Sequence, residues 1–597
     1  MVWHTGQESI TAPPNVLLDC VRIPKIREPS DHISRAMDYT QNYHPLPSAL
    51  LGIVSAALPV IVLFALLVIK RAPVPWAAAG GALSAFVIAI TIYGMPIRMA
   101  CLAFANGALF ALLPIGYVLV GAMLLYNIAV ETGRFARIKV SVAGLSPDHR
   151  LQAVLIAFCF GAFLEGAAGA GTPVAICAAM LVGLGFEPFQ AAILCLIANT
   201  SPVAYGGFGT PLLTLQGVTG IDIRLLSHMA GNQLPLLSCI VPLWLVRCMC
   251  GWKETKEVWP AIAVAGGSFA ICQYLFAHSA SYPLTDLAGG LVSLILTGGF
   301  LRFWKPARIW RYENQHLHSP EDATAAEESI QRHIAPRVSL KEAMGAWMPF
   351  ILLCVLMVAV GTNKNALDNL SIGTVRGQYE IHLSGLDRLV RRTPPVVERP
   401  TLEPATFKFN WLTTPGTPVL ATVLLVIPLL RVTRAQLGIV VRRTAGQMMV
   451  PVPTIVFMLG LGYITRFAGL DATLGMAFKN TGFLYPFFAA LLGWLGVFLT
   501  GTDAGSNALF GSLQKITALQ LGLSPILICV ANSSGGVMGK MIDAQSICVA
   551  TAATNRIGTE ADIFKRVLRH SILLAAIVGI LVLLQAYVYP FKLMVPH

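Results

Sequence analysis

Charge is scarce in this chain of 597 residues: only 12% are Asp, Glu, Lys or Arg, about half the share of an ordinary soluble domain. With a mean hydropathy of +0.69, that scarcity excludes a disordered chain, a nucleic-acid-binding domain and an ordinary soluble enzyme. Histidine is missing from the middle of every apolar segment, which excludes a haem-carrying membrane subunit with axial histidines. The twelve cysteines show neither CxxC spacing nor histidine partners, so they read as small buried hydrophobes and not as metal ligands. Alternating apolar patterns are also missing, which excludes a membrane barrel. The first 45 residues lack the basic, apolar, small-residue order of a signal peptide.

What the chain has is apolar residues, 55% of the total, gathered into continuous runs of about 20, the length of a membrane-spanning helix. The expected fold is all-α: a polytopic membrane protein with about twelve transmembrane helices. Expected crossings are 49–69, 74–94, 103–130, 188–215, 231–246, 258–276, 285–301, 346–361, 412–430, 447–465, 524–550 and 571–590. The excess of Lys and Arg, 42 against 29 Asp and Glu, fits cytoplasmic loops. With the N-terminus outside, Lys70, Arg71, Arg134, Arg137, Arg247, Arg302, Arg442 and Lys565 all fall on the cytoplasmic side.

Two further apolar stretches read as re-entrant hairpins, 151–186 and 482–521. The arms of the first are about 14 residues, roughly 21 Å of helix, against a hydrocarbon core about 30 Å thick. Its tip is Glu165-Gly166-Ala167-Ala168-Gly169-Ala170-Gly171, and that of the second is Thr500-Gly501-Thr502-Asp503-Ala504-Gly505. The two stretches belong to an internal repeat. Gly161–Gly166 (GAFLEG) recurs as Gly496–Gly501 (GVFLTG), Leu184–Pro188 as Leu521–Pro525, and Ala198–Ser201 (ANTS) as Ala531–Ser534 (ANSS), each about 335 residues downstream. In the topology above the copies are antiparallel, and inverted repeats with interrupted helices are the pattern of secondary transporters.

The organisation expected is therefore an N-terminal extension (1–45), membrane repeat 1 (46–302) and a cytoplasmic linker (303–345). A transmembrane helix (346–361), an external polar loop (362–411), membrane repeat 2 (412–591) and a short tail (592–597) follow. In each repeat the hairpin precedes a broken helix, 188–215 with Asn199, Thr200 and Ser201, and 524–550 with Asn532, Ser533 and Ser534. Half-helix N-termini there offer free N–H groups and favour an anion. Amides and hydroxyls beside them suit a small carboxylate that also carries a hydroxyl. Those six residues, with Thr172 and Asn507, are the expected pocket.

Five ionisable residues are placed at depth: Glu165, Asp503, Lys515, Lys540 and Asp543. Charge there defaults to function. Glu165 and Asp503, one at each tip, are the expected proton-coupling pair. Lys540 would meet the substrate carboxylate, or pair with Asp543 three residues on. Lys515 is expected to snorkel. No metal and no cofactor is called for.

Phe163–Gly166, Gly171–Ala175, Leu196–Thr200, Thr500–Asp503, Ser506–Gly511, Ala531–Gly536, Gly539–Ile542 and Gln545-Ser546 together resemble the bacterial L-lactate permease family, as does Gln41-Asn42-Tyr43 before the first span. The likeness runs over about 37–591. It implies uptake of lactate, and often glycolate, by proton symport across the bacterial inner membrane. Ala170, Ala504-Gly505 and Asp543-Ala544 depart from the family's pattern beside the expected pocket. The partners implied are a small monocarboxylate, protons and the lipid bilayer, without nucleic acid; a homo-oligomer is left open. The alternatives are a sodium-coupled transporter of another small carboxylate and, further off, a membrane enzyme.

Overall fold

Backbone polar groups in an apolar run find no water in a bilayer and pair along their own helix. In the computed structural model, which describes residues 38–70, 72–169, 172–311, 340–372, 375–397 and 399–596, twelve helices are accordingly long and apolar enough to cross a membrane. The chain begins with α1 (Ala49–Phe64), α2 (Val74–Thr91) and α3 (Ile97–Glu131). Pro114 lacks an N–H, and α3 widens to a π turn at Ala111–Gly116 around it. Next come α4 (His149–Ala167), α5 (Thr172–Gly183), α6 (Pro188–Ala198) and α7 (Gly206–Thr219). Three long helices follow, α8 (Ile223–Met249), α9 (Trp259–Ala277) and α10 (Thr285–Phe303). Then come α11 (Leu340–Thr362), α12 (Gly416–Leu429) and α13 (Arg434–Ala468). The last are α14 (Leu470–Phe478), α15 (Tyr485–Thr500), α16 (Asp503–Gln520), α17 (Pro525–Gly539), α18 (Ala544–Ala553) and α19 (Glu560–Tyr587).

The number of crossing candidates matches the expectation, but their membership differs. The expected crossing 412–430 is the 14-residue α12, about 21 Å long and too short to span alone. The short entering arm expected at 151–164 is instead the 19-residue α4, whose apolar window is wholly buried in protein. Asp148 starts it early by capping the Arg150 N–H at 2.9 Å. The span 188–215 is two helices, α6 and the 203–219 segment, bent by 64°. The second arm begins at Leu470 and not at 482, with Gly482 in a positive-φ kink between α14 and α15. The expected break in 524–550 comes later than Asn532: α17 runs on through Ser534 and ends at a single turn, Lys540–Ile542. The first break holds Pro202, whereas Gly535 stays helical because it is packed flat. A Cβ on Gly535 would fall 1.9 Å from the Ala490 carbonyl, and one on Gly493 1.8 Å from that of Asn532. Thus α15 and α17 touch backbone to backbone. Residues 1–36 and most of the 303–345 linker lie outside the described residues.

The stretch 362–411, expected as an external polar loop, is more than a loop. Tyr379–His382 pairs antiparallel with Thr406–Phe409, and Val390–Arg392 lies between Thr401–Glu403 and Tyr39–Thr40. Residues just before α1 are thereby part of this cap. The Gln41 side-chain amide donates to the carbonyls of Arg466 and Phe467, and the Tyr39 hydroxyl to that of Ala468. The buried Glu403 fastens the cap to the membrane body: it takes Arg466 at 2.5 Å and Arg392 at 2.9 Å. Arg466 in turn donates to the Gly217 and Val218 carbonyls at the end of α7.

Burial alone would push the Glu403 carboxyl up, but Arg466 and Arg392 outweigh it and hold it below its ordinary range. That stabilisation is present above the unfolded-state pKa of about 4.3 and is lost as pH falls through the lower folded value. Glu403→Gln is therefore expected to be less stable than the parent at neutral pH, by about 3–5 kcal/mol as for a broken buried pair. The gap should narrow steadily toward pH 3. Thermal unfolding in detergent across that range checks this; a gap independent of pH contradicts it.

Candidate functional site

The two turns that hold the expected tips, one after α4 and one between α15 and α16, meet the two helix breaks around one cavity. Glu165 stands in the last turn of α4, before Gly169 turns the chain at φ +60°. Its carboxylate lies against Gly206: a Cβ there would sit 2.8 Å from Oε1. Gly206 opens the first break. Asn199 ends α6, Pro202 blocks its continuation, and Gly207, Phe208 and Gly209 all take left-handed φ before helix resumes at Thr210. Phe208 holds that conformation without being glycine, a strain of order 1–3 kcal/mol held by complete burial of its ring.

The second tip is built differently. Gly501 ends α15 at φ +75°, and the Thr502 hydroxyl caps α16 by accepting the Gly505 N–H at 2.9 Å. Asp503 thus sits in the first turn of α16, where a helix N-terminus favours negative charge. Its Oδ2 accepts from the Ser533 hydroxyl and from the Asn507 amide at 3.4 Å, while Oδ1 has no hydrogen bond. Lys540, in the second break, joins that break to the tip. Its ammonium donates to the Gly501 carbonyl at 2.7 Å and pairs with Asp543 at 3.0 Å. Asp543 also caps α18 through the Ser546 N–H at 3.0 Å.

The cavity between these parts is about 80 Å³, several times the roughly 10–15 Å³ one water needs. Its polar wall is Glu165, Thr210, Thr502, Asp503 and Lys540, with the bare backbone of Gly206 and Gly207. Its apolar wall includes Leu119 of α3, Val203, and Met448 and Ile455 of α13. Among the described residues the chamber therefore offers one cation, two carboxyls, two hydroxyls and an apolar side.

Of the residues expected from the sequence, Glu165, Asp503 and Lys540 are on this wall. Ser533 and Asn507 stand behind Asp503, and Asn507 also donates to the Pro211 carbonyl at 3.1 Å, tying α16 to α7. Asn532 is turned away from the cavity, bonded to Ser506, Asn507 and Gln514. Ser534 donates to Gln233 at 2.6 Å, within a chain that reaches Gln585. Thr200 bonds back to the Ile197 carbonyl. Asn199 and Ser201 are buried, and their side-chain polar atoms have no hydrogen-bond partner. The side chain of Thr172, like residue Ala170, lies outside the described residues. Lys515 donates to the Thr219 carbonyl at 2.6 Å, beside Arg466 at the end of α7.

Sequence reasoning missed several groups. Thr502 lies inside the second tip motif, where a hydroxyl beside Asp503 was the available signal, and Thr210 lies inside the broken helix 188–215, where there was none. Leu119, Val203, Met448 and Ile455 gave none, being apolar residues among many. Asp286 and Asp471 are not among the five ionisable residues expected at depth, yet they are 0% and 4% exposed.

The family model described as L-lactate permease matches residues 52–589. The L-lactate permease of Escherichia coli K12 is 40% identical over 552 residues, covering 92% of this chain and 98% of that one. The L-lactate permease of Bacillus subtilis 168 is 40% identical over 576 residues, covering 93% and 100%. The glycolate permease GlcA of E. coli K12 is 41% identical over 557 residues, covering 92% and 98%.

The Lys540–Asp543 pair yields a double-mutant test. Lys540→Ala leaves Asp543 buried and unpaired, a loss of about 3–5 kcal/mol. Removing both charges in K540A/D543A is expected to restore much of the thermal stability in detergent but none of the transport. Recovery of transport in the double variant would show that Lys540 serves only to neutralise Asp543.

Proposed function

The chain belongs to the L-lactate permease family, a multi-pass transporter of the bacterial inner membrane and not an enzyme, and we propose that it imports L-lactate, with glycolate and similar small 2-hydroxycarboxylates, by proton symport. One observation carries the reading: Glu165 and Asp503 face a single cavity whose only cation among the described residues, Lys540, is already paired with Asp543.

Charge decides the coupling. Lys540 and Asp543 together are neutral, so an entering carboxylate meets two carboxyls and no net positive charge. Two like charges about 4 Å apart repel by about 4 kcal/mol at an effective dielectric of 20, roughly a thousandfold in occupancy. Protonating either tip carboxyl removes its share of that repulsion and adds an O–H donor. The anion and the proton are then favoured only together, which is symport.

The wall has a role for each part of the substrate. Lys540 and the open backbone at Gly206 and Gly207 meet the carboxylate, Thr210 and Thr502 the 2-hydroxyl, and Leu119 and Ile455 the methyl that lactate has and glycolate lacks. The matched repeat segments support opposed hairpins around this cavity, which lets it open to one side at a time.

Purified protein in liposomes tests the proposal. An alkaline interior should drive accumulation of labelled L-lactate, a protonophore should abolish it, and replacing sodium should leave it unchanged. Glu165→Gln and Asp503→Asn should each lose at least about tenfold of gradient-driven accumulation, the order of a lost proton-transfer or charge interaction. Uptake that follows a sodium gradient, or wild-type accumulation by both variants, contradicts the proposal.

A further inference from the structure

Asp286 opens α10 directly beneath the first hairpin tip. It is wholly buried, and neither carboxylate oxygen makes a hydrogen bond. The fit between its helix and the tip is tight. A Cβ on Gly166, the residue after Glu165, would fall 2.3 Å from the backbone N of Leu287, the residue after Asp286. On the other side Gly206 touches the Glu165 carboxylate, and its neighbour Tyr205 turns its backbone amide toward Asp286. The titratable groups facing Asp286 are Glu165 from α4, Tyr205 from the first break and Cys272 from α9, with Tyr282 in the turn before its own helix. None of these is a cation. The Tyr205 hydroxyl is itself engaged elsewhere, donating to the Ser227 carbonyl at 2.8 Å.

An ionised carboxylate with one backbone amide turned toward it and no cation facing it is strongly disfavoured in such a place, and the nearby Glu165, which Lys540 faces, adds a like charge whenever both are ionised. A proton resolves both problems. Asp286 does not line the cavity, so it cannot meet the substrate; it can meet the proton that Glu165 handles. We infer that Asp286 is a positioning residue for the coupling proton, a second carboxyl that shares it with Glu165. In the transfer, the O–H bond of one carboxylic acid breaks and an O–H bond forms on the other carboxylate; no other bond changes. Glu165 then presents a proton to the cavity in one phase of the cycle and passes it inward to Asp286 in another, without ever leaving two adjacent buried negative charges. This rests on the proton-symport reading above.

The test is the pH profile of uptake and of lactate–lactate exchange in proteoliposomes, for the full chain and for Asp286→Asn. The neutral isostere removes the repulsion that helps Glu165 keep its proton. The alkaline limb of the profile should therefore move to lower pH by about one unit, tenfold in proton concentration. Asp286→Glu, which keeps the acid, should restore the parent profile. A merely structural Asp286 would change the amount of folded protein and leave the limb in place. Should the Asn variant fail to fold, Asp286→Ser removes the same charge and should move the limb the same way; a limb left in place there overturns the inference. If the parent follows the pH gradient and D286N superimposes on it, this inference fails and the symport reading stands. If the parent ignores the gradient, both fail.

Discussion

Charge without water is the constraint on which this structure turns. Most of the chain avoids the problem by having few charges. Where charges do enter the interior they sit at chain breaks, and the breaks supply what bulk solvent would. Gly501 ends a helix and leaves its carbonyl for Lys540. Thr502 and the first turn of α16 hold Asp503 at the favourable end of a helix. Asp543 balances Lys540 and caps the next helix in the same gesture. What is left over after these pairings is carboxyl, the seat we propose for the coupling proton.

Small residues make this arrangement fit. Gly206 leaves room for the Glu165 side chain, and a Cβ on Gly536 would fall 2.4 Å from Asp503 Oδ1. Each tip carboxylate is thus received by a glycine of the broken helix beside it. The backbone contact of α15 with α17 keeps the second break in register with its tip, and Asn507 on Pro211 with Lys515 on Thr219 bind α16 to α7. Outside, Glu403 and Arg466 carry the same linkage to the cap. Any movement that exposes the cavity must carry these pairs along or break them.

Much of this was legible in the sequence, and the reason is energetic. A charge in an apolar run is costly enough that Glu165, Asp503 and Lys540 stand out against their surroundings, and all three line the cavity. The polar residues Asn532, Ser533 and Ser534 stand out equally, but polarity does not say which way a helix is turned. They face other helices because a buried amide or hydroxyl is satisfied as well by Gln514 or Gln233 as by a ligand. The apolar wall was invisible, since Leu119 and Ile455 differ from a hundred core residues only in where they end up. Asp286 went unnoticed because it opens a helix, and helix starts are ordinarily wet. The crossings were counted correctly but assigned partly to the wrong segments: α4 is long yet enclosed, and α12 is apolar yet short.

The central claim is that the bound anion and a proton enter the same chamber together. Proton uptake on binding reads this directly, with a pH indicator in weakly buffered detergent solution as L-lactate is added to purified protein near neutral pH. The account expects up to about one proton taken up per lactate bound, since a single protonation relieves the repulsion, and a clear loss of that uptake in E165Q/D503N. Saturable lactate binding with no proton uptake at any pH between 6 and 8 would contradict it.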